Sequence, residues 1–354
     1  MHASSAAVLW AHPGTFMSPK MTYTLKTDSI IDPIRSQALT KLIKETPLTY
    51  KPQHLATVDI DYGGVGVGHK ECTKDGEMAV SAAILYWATG TAAYADLSLS
   101  ILKGWSEKNI AWKGNNGLLE ASWSVCSMAR AAELLKYAND KVIADKWRAI
   151  EPQFLKWLDK VILPVIKSEH IWTWPLIGNW HFSQISARMQ IAILREDVNE
   201  FDWCVRKFPE AVNKALLAIP VGHKESAPAK PKCKGQNSET CRDVSHSQFL
   251  LGGLIQVPEM ALHQGVKLYD DRLFDAFELQ ARIMMKEVPD GLAPADIKTP
   301  YGYWYEPVWH IAHAHFTGRC KRPMPNTEKY IKQIGPDRVC FHWGPNCLTH
   351  YKRT

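Results

Sequence analysis

The side chains best suited to proton transfer lie between Cys241 and Gln248, where a helix is predicted to begin. Arg242, His246 and Gln248 place a cation, an imidazole and an amide close together at this helix start. An imidazole exchanges protons near neutral pH, and a guanidinium stabilises negative charge that develops beside it. A lone histidine here would most often be structural. With Arg242 beside it, His246 is as good a candidate for a general base as for a structural residue.

A second segment, from Gly178 to Gln184, opens another predicted helix directly after the aromatic turn that runs from Trp172 to Pro175. The amide of Asn179 can simply cap this helix. The same geometry also directs an amide donor and the free N–H groups of the helix end at a carboxylate, which would bind an acidic ligand. The sequence leaves both roles open.

The segment from Pro300 to Trp309 is dense in aromatic side chains around a glycine. The chain as a whole has 14 Trp, which outnumber its 12 Tyr and its 10 Phe. Large flat rings can serve as platforms for sugars, and a phenol within such a platform can transfer a proton. Core packing explains some of these rings, and a sugar platform is the sharper interpretation of the cluster.

A glycine-rich run and a cluster of histidines are the two motifs that could hold a cofactor or a metal. The glycine-rich run from Tyr62 to His69 resembles a phosphate loop but lacks the Gly-Lys-Ser/Thr ending, so we interpret it as a flexible loop. His310, His313 and His315 cluster without the carboxylate of a His-Glu-x-x-His pattern, which favours packing or substrate contact over metal ligation. The sequence therefore predicts neither a metal nor an organic cofactor.

Composition excludes several classes of protein. Of the 354 residues, 46% are apolar and 22% are charged, which argues against wholesale disorder. No apolar run approaches the roughly 18 to 20 residues that cross a bilayer. The net charge of +6 is scattered rather than gathered into a basic arm, so no nucleic-acid or membrane partner is expected. A mild positive surplus suits an acidic substrate.

The cysteines and the N-terminus bear on the compartment. No Cys-x-x-Cys pair occurs, which disfavours zinc ribbons and dithiol redox sites. Cys233 and Cys241 bracket one polar loop and Cys340 and Cys347 another, and both spacings suit disulfides in a secreted protein. Residues 1–11, read as an N-terminal extension or a cloning remnant, contain an apolar stretch too short for a signal core. We expect a secreted protein whose leader is absent from this sequence.

The elements that must position these groups are helical nearly throughout. Asp32 followed by Pro33 predicts a helix start, and Gly90 predicts a helix end. The periodicity predicts about ten helices of roughly 12 to 20 residues, and segments 47–74 and 290–305 have room for short strands. Consecutive helices with short turns favour one domain of stacked antiparallel hairpins, with residues 219–241 as a loop beside a cleft.

Further motifs follow one another along the chain. They are His12-Pro-Gly14, Asp75-Gly-Glu-Met-Ala through Trp87-Ala-Thr-Gly90 to Trp105-Ser106, Leu119-Glu-Ala-Ser-Trp123 with Ala131-Ala-Glu-Leu-Leu135, Gly178-Asn-Trp180, Arg242-Asp-Val-Ser-His-Ser-Gln248 with Gly252-Gly-Leu, Tyr305-Glu-Pro-Val-Trp309 and Met324-Pro-Asn-Thr327. In this order they resemble the alginate lyase superfamily of polysaccharide lyases, and polysaccharide lyase family thirty-eight in particular. The resemblance spans about residues 12–350.

The resemblance implies an all-α fold, an (α/α) toroid built as an incomplete barrel of helical hairpins in a single domain over residues 12–350. It also implies β-elimination on a 4-linked polyuronic acid such as alginate or glucuronan, without a metal. That reaction neutralises the uronate carboxylate, removes the C5 proton and protonates the leaving O4. By the resemblance, Asn179 neutralises the carboxylate, and His246 and Tyr305 are the catalytic histidine and tyrosine.

The stereochemistry of the substrate divides the two proton transfers. Where the C5 proton and O4 lie on the same side of the ring, Tyr305 alone serves as base and then as acid. For the opposite epimer, His246 takes the proton and Tyr305 donates one. A phenol has an ordinary pKa of about 10, so a neighbouring cation must favour its ionised form, and Arg242 is the candidate.

Two positions depart from the family pattern. Alginate lyases of family five show Asn-Asn-His where this chain has Gly178 to His181, which leaves the role of His181 open. An arginine often precedes the family's tyrosine, and Lys298 is the nearest upstream cation here. The side chains expected to line the substrate groove, each with packing as its alternative, are Trp180, His181, Gln248, Trp123, Asn116 and Tyr303.

Two other functions compete with a lyase. A glycoside hydrolase of the same fold would need two carboxylates flanking the bond, and Glu120, Asp243 and Glu306 are available. A non-catalytic carbohydrate-binding protein would use the aromatic groove alone. Unsaturated products identify a lyase, and substitution of Tyr305 separates the enzyme from the binding protein.

Overall fold

Fourteen α-helices and three short strands make up the described part of the chain in a computed structural model. The structure describes residues 10–217, 231–302, 308–336 and 344–351. The helices are α1 Pro19–Ile31, α2 Pro33–Glu45, α3 His69–Thr89, α4 Ala92–Lys108, α5 Gly117–Lys136, α6 Lys141–Trp157, α7 Leu163–Ile166, α8 Asn179–Arg195, α9 Val198–Leu217, α10 Val244–His263, α11 Arg272–Met284, α12 Trp309–His313, α13 Pro325–Ile334 and α14 Asn346–His350, and the strands are β1 Thr57–Asp61, β2 Val65–Val67 and β3 Ala111–Lys113.

Local capping sets several of these helix boundaries. The carboxylate of Asp32 accepts the backbone N–H groups of Ile34 and Arg35 at 2.9 and 3.1 Å, and Pro33 fills the first helical position of α2. Gly90 ends α3 with φ of 75°, the left-handed conformation that glycine adopts without steric cost. Both boundaries confirm the sequence prediction.

The helices form two layers around a ring. Helices α3, α5, α8 and α10 pack side by side in that order, and α12, α14 and α2 continue the sequence of contacts back to α3. Helices α4, α6, α9, α11 and α13 pack outside them. Because α5 and α8 are covered on every side, almost all of their residues are buried. This arrangement is the predicted helical toroid.

Two apolar clusters lie between the layers. One joins α3, α4, α5 and α6, and the other joins α8, α9, α10, α11 and α13. A third, smaller cluster of Leu118, Leu119, Trp123, Ile171 and Trp180 lies where α5 meets α8. Since this third cluster contains two tryptophans and joins the first turns of two inner helices, it forms part of the site described below.

The short strands lie in the predicted segment 47–74 and in one place that was not predicted. Strand β1 pairs with β2 in an antiparallel hairpin and with β3 in parallel. Within residues 290–302 the structure has a 3-10 turn, Pro294–Asp296, and no strand, so that half of the strand prediction is wrong over the described residues. The sequence did not predict β3, whose three residues are too few for a visible alternation.

The N-terminal loop is fixed to the ring by a buried carboxylate. Glu133, near the end of α5, accepts the backbone N–H groups of Gly14 and Thr15, both at 2.9 Å, and bonds the Nδ1 atom of His12 at 2.8 Å. These bonds satisfy both oxygens of a side chain that is fully buried. The His12-Pro-Gly motif therefore has a structural role at this position.

Cys233 and Cys241 are half-buried free thiols, so the disulfide expected between them is not formed in this structure. Cys340 lies outside the described residues, and its expected pairing with Cys347 is untested. Within the described ranges, each helix is too short or too polar to cross a bilayer.

Candidate active site

A cavity of about 820 Å³ opens where inner helices α3, α5, α8 and α10 begin. Its wall combines aromatic rings with histidines, carboxylates and an arginine. The lining residues are Tyr62, Gly63, Gly64, His69, Asn116, Leu119, Glu120, Trp123, Trp174, Pro175, Leu176, Ile177, Gly178, Trp180, His181, Ser238, Glu239, Arg242, Ser245, His246, Phe249 and Tyr301. A cavity of this size holds more than one sugar ring.

The four helix starts give this end of the ring a common electrostatic character. The first N–H groups of a helix have no partner within the helix, and the aligned peptide dipoles leave partial positive charge there. Residues at or just before the starts of α3, α5, α8 and α10 line the cavity wall. Helix starts of this kind favour an anionic ligand, although the carboxylates of Glu239 and Asp243 already accept N–H groups at the starts of α8 and α10.

His246 is oriented by Asp243 at the start of α10. One oxygen of Asp243 caps the helix by accepting the N–H groups of Ser245 and His246 at 3.0 and 2.9 Å. The other oxygen accepts a hydrogen bond from His246 Nδ1 at 2.6 Å. Burial raises the pKa of Asp243, but the hydrogen bonds from His246 outweigh that effect and hold its pKa below the ordinary value.

The hydrogen bond to Asp243 also fixes which nitrogen of His246 can act on a substrate. A carboxylate only accepts, so Nδ1 carries a proton, and in the neutral ring Nε2 has a free lone pair. Within the described ranges, no side chain or backbone group bonds Nε2, and the side chain is 20% exposed on the cavity wall. Geometry and tautomer together suit His246 to proton abstraction.

Arg242 and Asn179 are joined by Glu239, a residue that the sequence analysis missed. Glu239 Oε1 accepts both the backbone N–H of Asn179 at 3.1 Å and its Nδ2 at 2.8 Å. Glu239 Oε2 accepts a hydrogen bond from Arg242 Nη1 at 3.2 Å. A side chain at Gly178 would place its Cβ 2.4 Å from Glu239 Oε1, so a larger residue there would displace the Glu239 carboxylate. Glu239 thus links the starts of α8 and α10.

Asn179 is close to the cavity but does not form part of its described wall. The side chain is buried, and its Oδ1 has no hydrogen-bond partner among the described residues. One amide hydrogen is committed to Glu239, which leaves the second for a ligand. Arg242 lines the cavity and is the cation nearest to this amide along the network.

His181 is held in a neutral form. Its Nε2 donates to the carbonyl oxygen of Ile171 at 2.8 Å, and its Nδ1 accepts the N–H of Gly178 at 3.2 Å. Burial lowers the pKa of His181 to about 4. With both nitrogens bonded, His181 fixes the aromatic turn to the start of α8, and it supplies no positive charge to the cavity.

The aromatic part of the wall brings distant segments together. Trp180 lies 5.2 Å from Trp174 and 6.2 Å from Tyr62 between ring centroids. Trp123 donates its indole N–H to Ser183 Oγ at 3.0 Å, and its ring lies 5.4 Å from that of Phe249. Trp180, Trp123 and Asn116 therefore lie in the cavity wall, and Trp123 and Trp180 also serve as packing.

A second carboxylate–imidazole pair, His69 with Glu120, stands in the wall and was also missed. His69 Nδ1 bonds Glu120 Oε1 at 2.8 Å, and this hydrogen bond raises the pKa of His69. The sequence analysis had placed His69 in a flexible glycine-rich loop, but residues 57–67 form the β1–β2 hairpin and His69 begins α3. Gly64, at φ of 73°, lies so close to the His69 ring that a Cβ there would be 3.3 Å from Cδ2. The alternation of Val58 and Ile60 was the available signal for a strand.

Other predicted residues are not brought into the described wall. Gln248 is fully buried and donates to the carbonyl oxygen of Val244, because residues two apart on a helix face opposite sides and His246 takes the cavity side. The backbone oxygen of Lys298 accepts from Val244, and its side chain is not part of the lining. Tyr303, Tyr305 and Glu306 lie outside the described residues.

Tyr301 is the described member of the aromatic segment that was predicted to form a sugar platform. Its side chain is 68% exposed and lines the cavity, with its ring centroid 6.4 Å from that of His246.

The histidine cluster of His310, His313 and His315 does not line the cavity. Burial lowers the pKa of His310 to about 3 and that of His315 to about 4. Over the described residues, no group of three or more His, Cys, Asp or Glu is placed to hold a metal ion.

Three solved structures resemble this chain over nearly its whole length. An alginate lyase from Bacteroides ovatus is 12% identical with a TM-score of 0.60, and covers 96% of this chain and 99% of its own. Two variants of alginate lyase A1-III, each complexed with tetrasaccharide, are 16% and 14% identical with TM-scores of 0.65 and 0.64. Each covers 99% of this chain and 98% of its own, and one carries a Tyr-to-Phe and the other a His-to-Ala substitution.

These comparisons identify the class of fold. No protein-family model and no curated protein matches the sequence. At the identities found, the likeness to solved structures shows that this chain has the helical toroid fold of alginate lyases. The predicted fold class is confirmed, while assignment to family thirty-eight stays a prediction.

Proposed function

We propose that the protein is a polysaccharide lyase that cleaves a 4-linked polyuronic acid, alginate or glucuronan, by β-elimination without a metal. The observation that carries this proposal is the cavity at four helix starts, where Arg242 and an Asp243-oriented His246 face aromatic rings. The fold shared with alginate lyases, two of them complexed with tetrasaccharide, supports it. An acidic polysaccharide is the proposed partner.

The first step acidifies the proton on C5. Arg242 and the second amide hydrogen of Asn179 neutralise the uronate carboxylate. Neutralisation lets the carboxylate accept the electron pair that the C5–H bond leaves behind. Glu239 holds Asn179 and Arg242 in register for this role, since it bonds both side chains.

Proton transfer then completes the elimination. In substrates with the C5 proton and O4 on opposite sides, His246 Nε2 takes the proton, the C4–C5 double bond forms, and the C4–O4 bond breaks as Tyr305 gives O4 a proton. In substrates with both on the same side, Tyr305 acts first as base and then as acid, with Arg242 favouring its phenolate. Tyr301, whose ring centroid lies 6.4 Å from that of His246, precedes Tyr305 by four residues in the sequence.

The geometry favours a lyase over a glycoside hydrolase. A hydrolase needs one protonated carboxyl group and one free carboxylate beside the bond. Glu120 and Asp243 each bond an imidazole, at 2.8 and 2.6 Å, and the lowered pKa of Asp243 makes it a poor acid. Glu306, the third carboxylate considered, lies outside the described residues.

An absorbance assay tests the proposal. Wild-type protein is mixed with polymannuronate, polyguluronate, glucuronan and glycosaminoglycans, and the unsaturated product is followed in the near ultraviolet. We expect absorbance to rise with alginate blocks or glucuronan and to stay flat with a Tyr305→Phe variant that still binds the polymer. New reducing ends without absorbance would favour the hydrolase, and binding without either signal would favour a carbohydrate-binding protein.

The remaining assignments accompany this function. We propose that residues 12–350 form one lyase domain and that the protein acts outside the cytoplasm, where polyuronates occur. The free thiols of Cys233 and Cys241 do not contribute to that proposal. Export is tested by locating the protein in fractions of its source cells.

A further inference from the structure

Glu120 has one oxygen engaged by the protein and one that is not. Its Oε1 bonds His69 Nδ1 at 2.8 Å and Asn116 Nδ2 at 3.5 Å. Its Oε2 is buried and has no hydrogen-bond partner among the described residues, although the side chain is only 1% exposed. Buried carboxylate oxygens are almost always paired with a protein group or an ordered water, so an unpaired oxygen on a cavity-lining side chain is a candidate acceptor for a ligand.

The position of Glu120 restricts what that donor can be. Glu120, His69 and Asn116 all line the cavity, at the starts of α3 and α5. Arg242 and Asn179, the groups proposed to receive the uronate carboxylate, belong to the starts of α10 and α8. A carboxylate ligand beside Glu120 would be repelled, whereas a sugar hydroxyl donates a hydrogen bond and gains from a charged acceptor.

We propose that Glu120 Oε2 accepts a hydrogen bond from the C2 or C3 hydroxyl of a uronate ring in the cavity, and so contributes to recognition of the sugar. The proposal rests on the proposed function for the identity of the ligand. His69 is a positioning residue, because it holds Glu120 Oε1 through Nδ1 and leaves Oε2 for the substrate. Gly64 lies beside the His69 ring, where an added Cβ would be 3.3 Å from Cδ2.

The packing alternative makes a different prediction. If Glu120 only tied α5 to His69, removing it would weaken the fold and would affect all ligands equally. If Glu120 accepts a hydrogen bond from a hydroxyl, removing Glu120 abolishes the preference in affinity for ligands that have that hydroxyl. A site built to bond a hydroxyl discriminates strongly against the analogue that lacks it, because its buried acceptor is then left unpaired.

The experiment is a thermodynamic cycle between protein and ligand. A Tyr305→Phe background prevents turnover, and titration calorimetry measures Kd for a uronate tetrasaccharide and for its 2-deoxy and 3-deoxy analogues. We expect the background protein to bind one deoxy analogue about 10- to 100-fold more weakly than the intact sugar, the range of one charge-assisted hydrogen bond. Adding Glu120→Ala should bring that ratio to about one, and Glu120→Gln should leave an intermediate ratio.

Matched variants separate recognition from stability. Glu133 is an equally buried carboxylate on α5, but both of its oxygens are bonded by the N-terminal loop. Glu133→Gln should lower Tm and leave the discrimination ratio unchanged. His69→Gln, whose amide can still donate to Glu120, should keep the ratio, whereas His69→Leu should reduce it.

Either of two results would overturn the inference: equal binding of all three sugars by the Tyr305→Phe background, or the same discrimination with and without Glu120. If Glu120→Ala does not fold, Glu120→Gln decides, because it keeps the shape of the side chain. Failure of wild-type protein to cleave any polyuronate would count against the proposed function. Normal cleavage with an indifferent Glu120 would count against this inference alone.

Discussion

Asn in place of Asp243 should disable His246 while leaving the helix start intact. In Asp243→Asn the remaining carbonyl oxygen can still cap α10 by accepting the N–H groups of Ser245 and His246. The new NH₂ group then faces His246 Nδ1, where the carboxylate oxygen accepted a bond at 2.6 Å. A donor opposite Nδ1 forces that nitrogen to accept, so the proton moves to Nε2 and the base is lost.

The substitution should affect kcat much more than the free energy of unfolding. General base catalysis contributes about 10²- to 10⁴-fold, so kcat on the substrate that uses His246 should fall at least about 100-fold. Asn caps helices about as well as Asp, and only one charge-assisted bond is weakened, so the free energy of unfolding should fall by about 1 kcal/mol. Activity should therefore fall far more than stability does.

Asp32→Asn is the matched control, since Asp32 caps α2 with two similar bonds. The assay compares initial rates of product absorbance for wild type and both variants, together with urea unfolding. We expect Asp32→Asn to keep wild-type kcat. Asp243→Asn with wild-type kcat on every polyuronate that is cleaved would refute the assignment of His246 as a base.

Three further predictions concern the same wall and its support. Tyr305→Phe should abolish turnover with little change in Kd, measured by calorimetry, and residual turnover above about 1% would contradict its role as the acid. Glu239→Gln should raise KM for polyuronate and lower the free energy of unfolding by about 1 to 3 kcal/mol, because its new NH₂ group faces only hydrogen-bond donors. An unchanged KM would contradict the proposal that Glu239 positions Asn179 and Arg242. The free energy of unfolding should also fall as the pH drops from about 6.5 to about 4. The unfolded chain binds a proton there that His181, with its pKa lowered to about 4, does not bind.

His181→Gln tests the last of these predictions. The substitution removes the titrating group, so the pH dependence of urea unfolding should flatten in that window relative to wild type. A slope that does not change would show that His181 is not the neutral, buried group that the structure describes. His310 and His315, whose pKa values burial lowers to about 3 and about 4, should leave a smaller slope in the variant.

Local signals were sufficient to predict most of the fold. Asp32, Pro33 and Gly90 set helix ends through interactions within a few residues, so the sequence states them directly. Short strands such as β3 depend on a partner, since Ala111 to Lys113 pair with residues more than fifty positions earlier. Pairing of that kind leaves no periodic pattern in so short a segment.

The residues of the candidate site show the same contrast between local signals in the sequence and contacts with distant residues. Arg242, His246 and Trp180 stand in segments with a visible concentration of chemistry, and the structure places all three in one cavity wall. Glu239 and the His69–Glu120 pair were missed because each becomes meaningful only through a distant partner, 60 residues away for Glu239 and Asn179. Gln248 was included because it is close in sequence to His246, although helical geometry turns it away.

The central claim is that the bond is broken by elimination and not by addition of water. Mass spectrometry of the oligosaccharides released from alginate or glucuronan by wild-type protein tests it directly. The account predicts that every new non-reducing end is lighter by one water than the hydrolysis product and carries a C4–C5 double bond. Release of fully hydrated, saturated ends would contradict it.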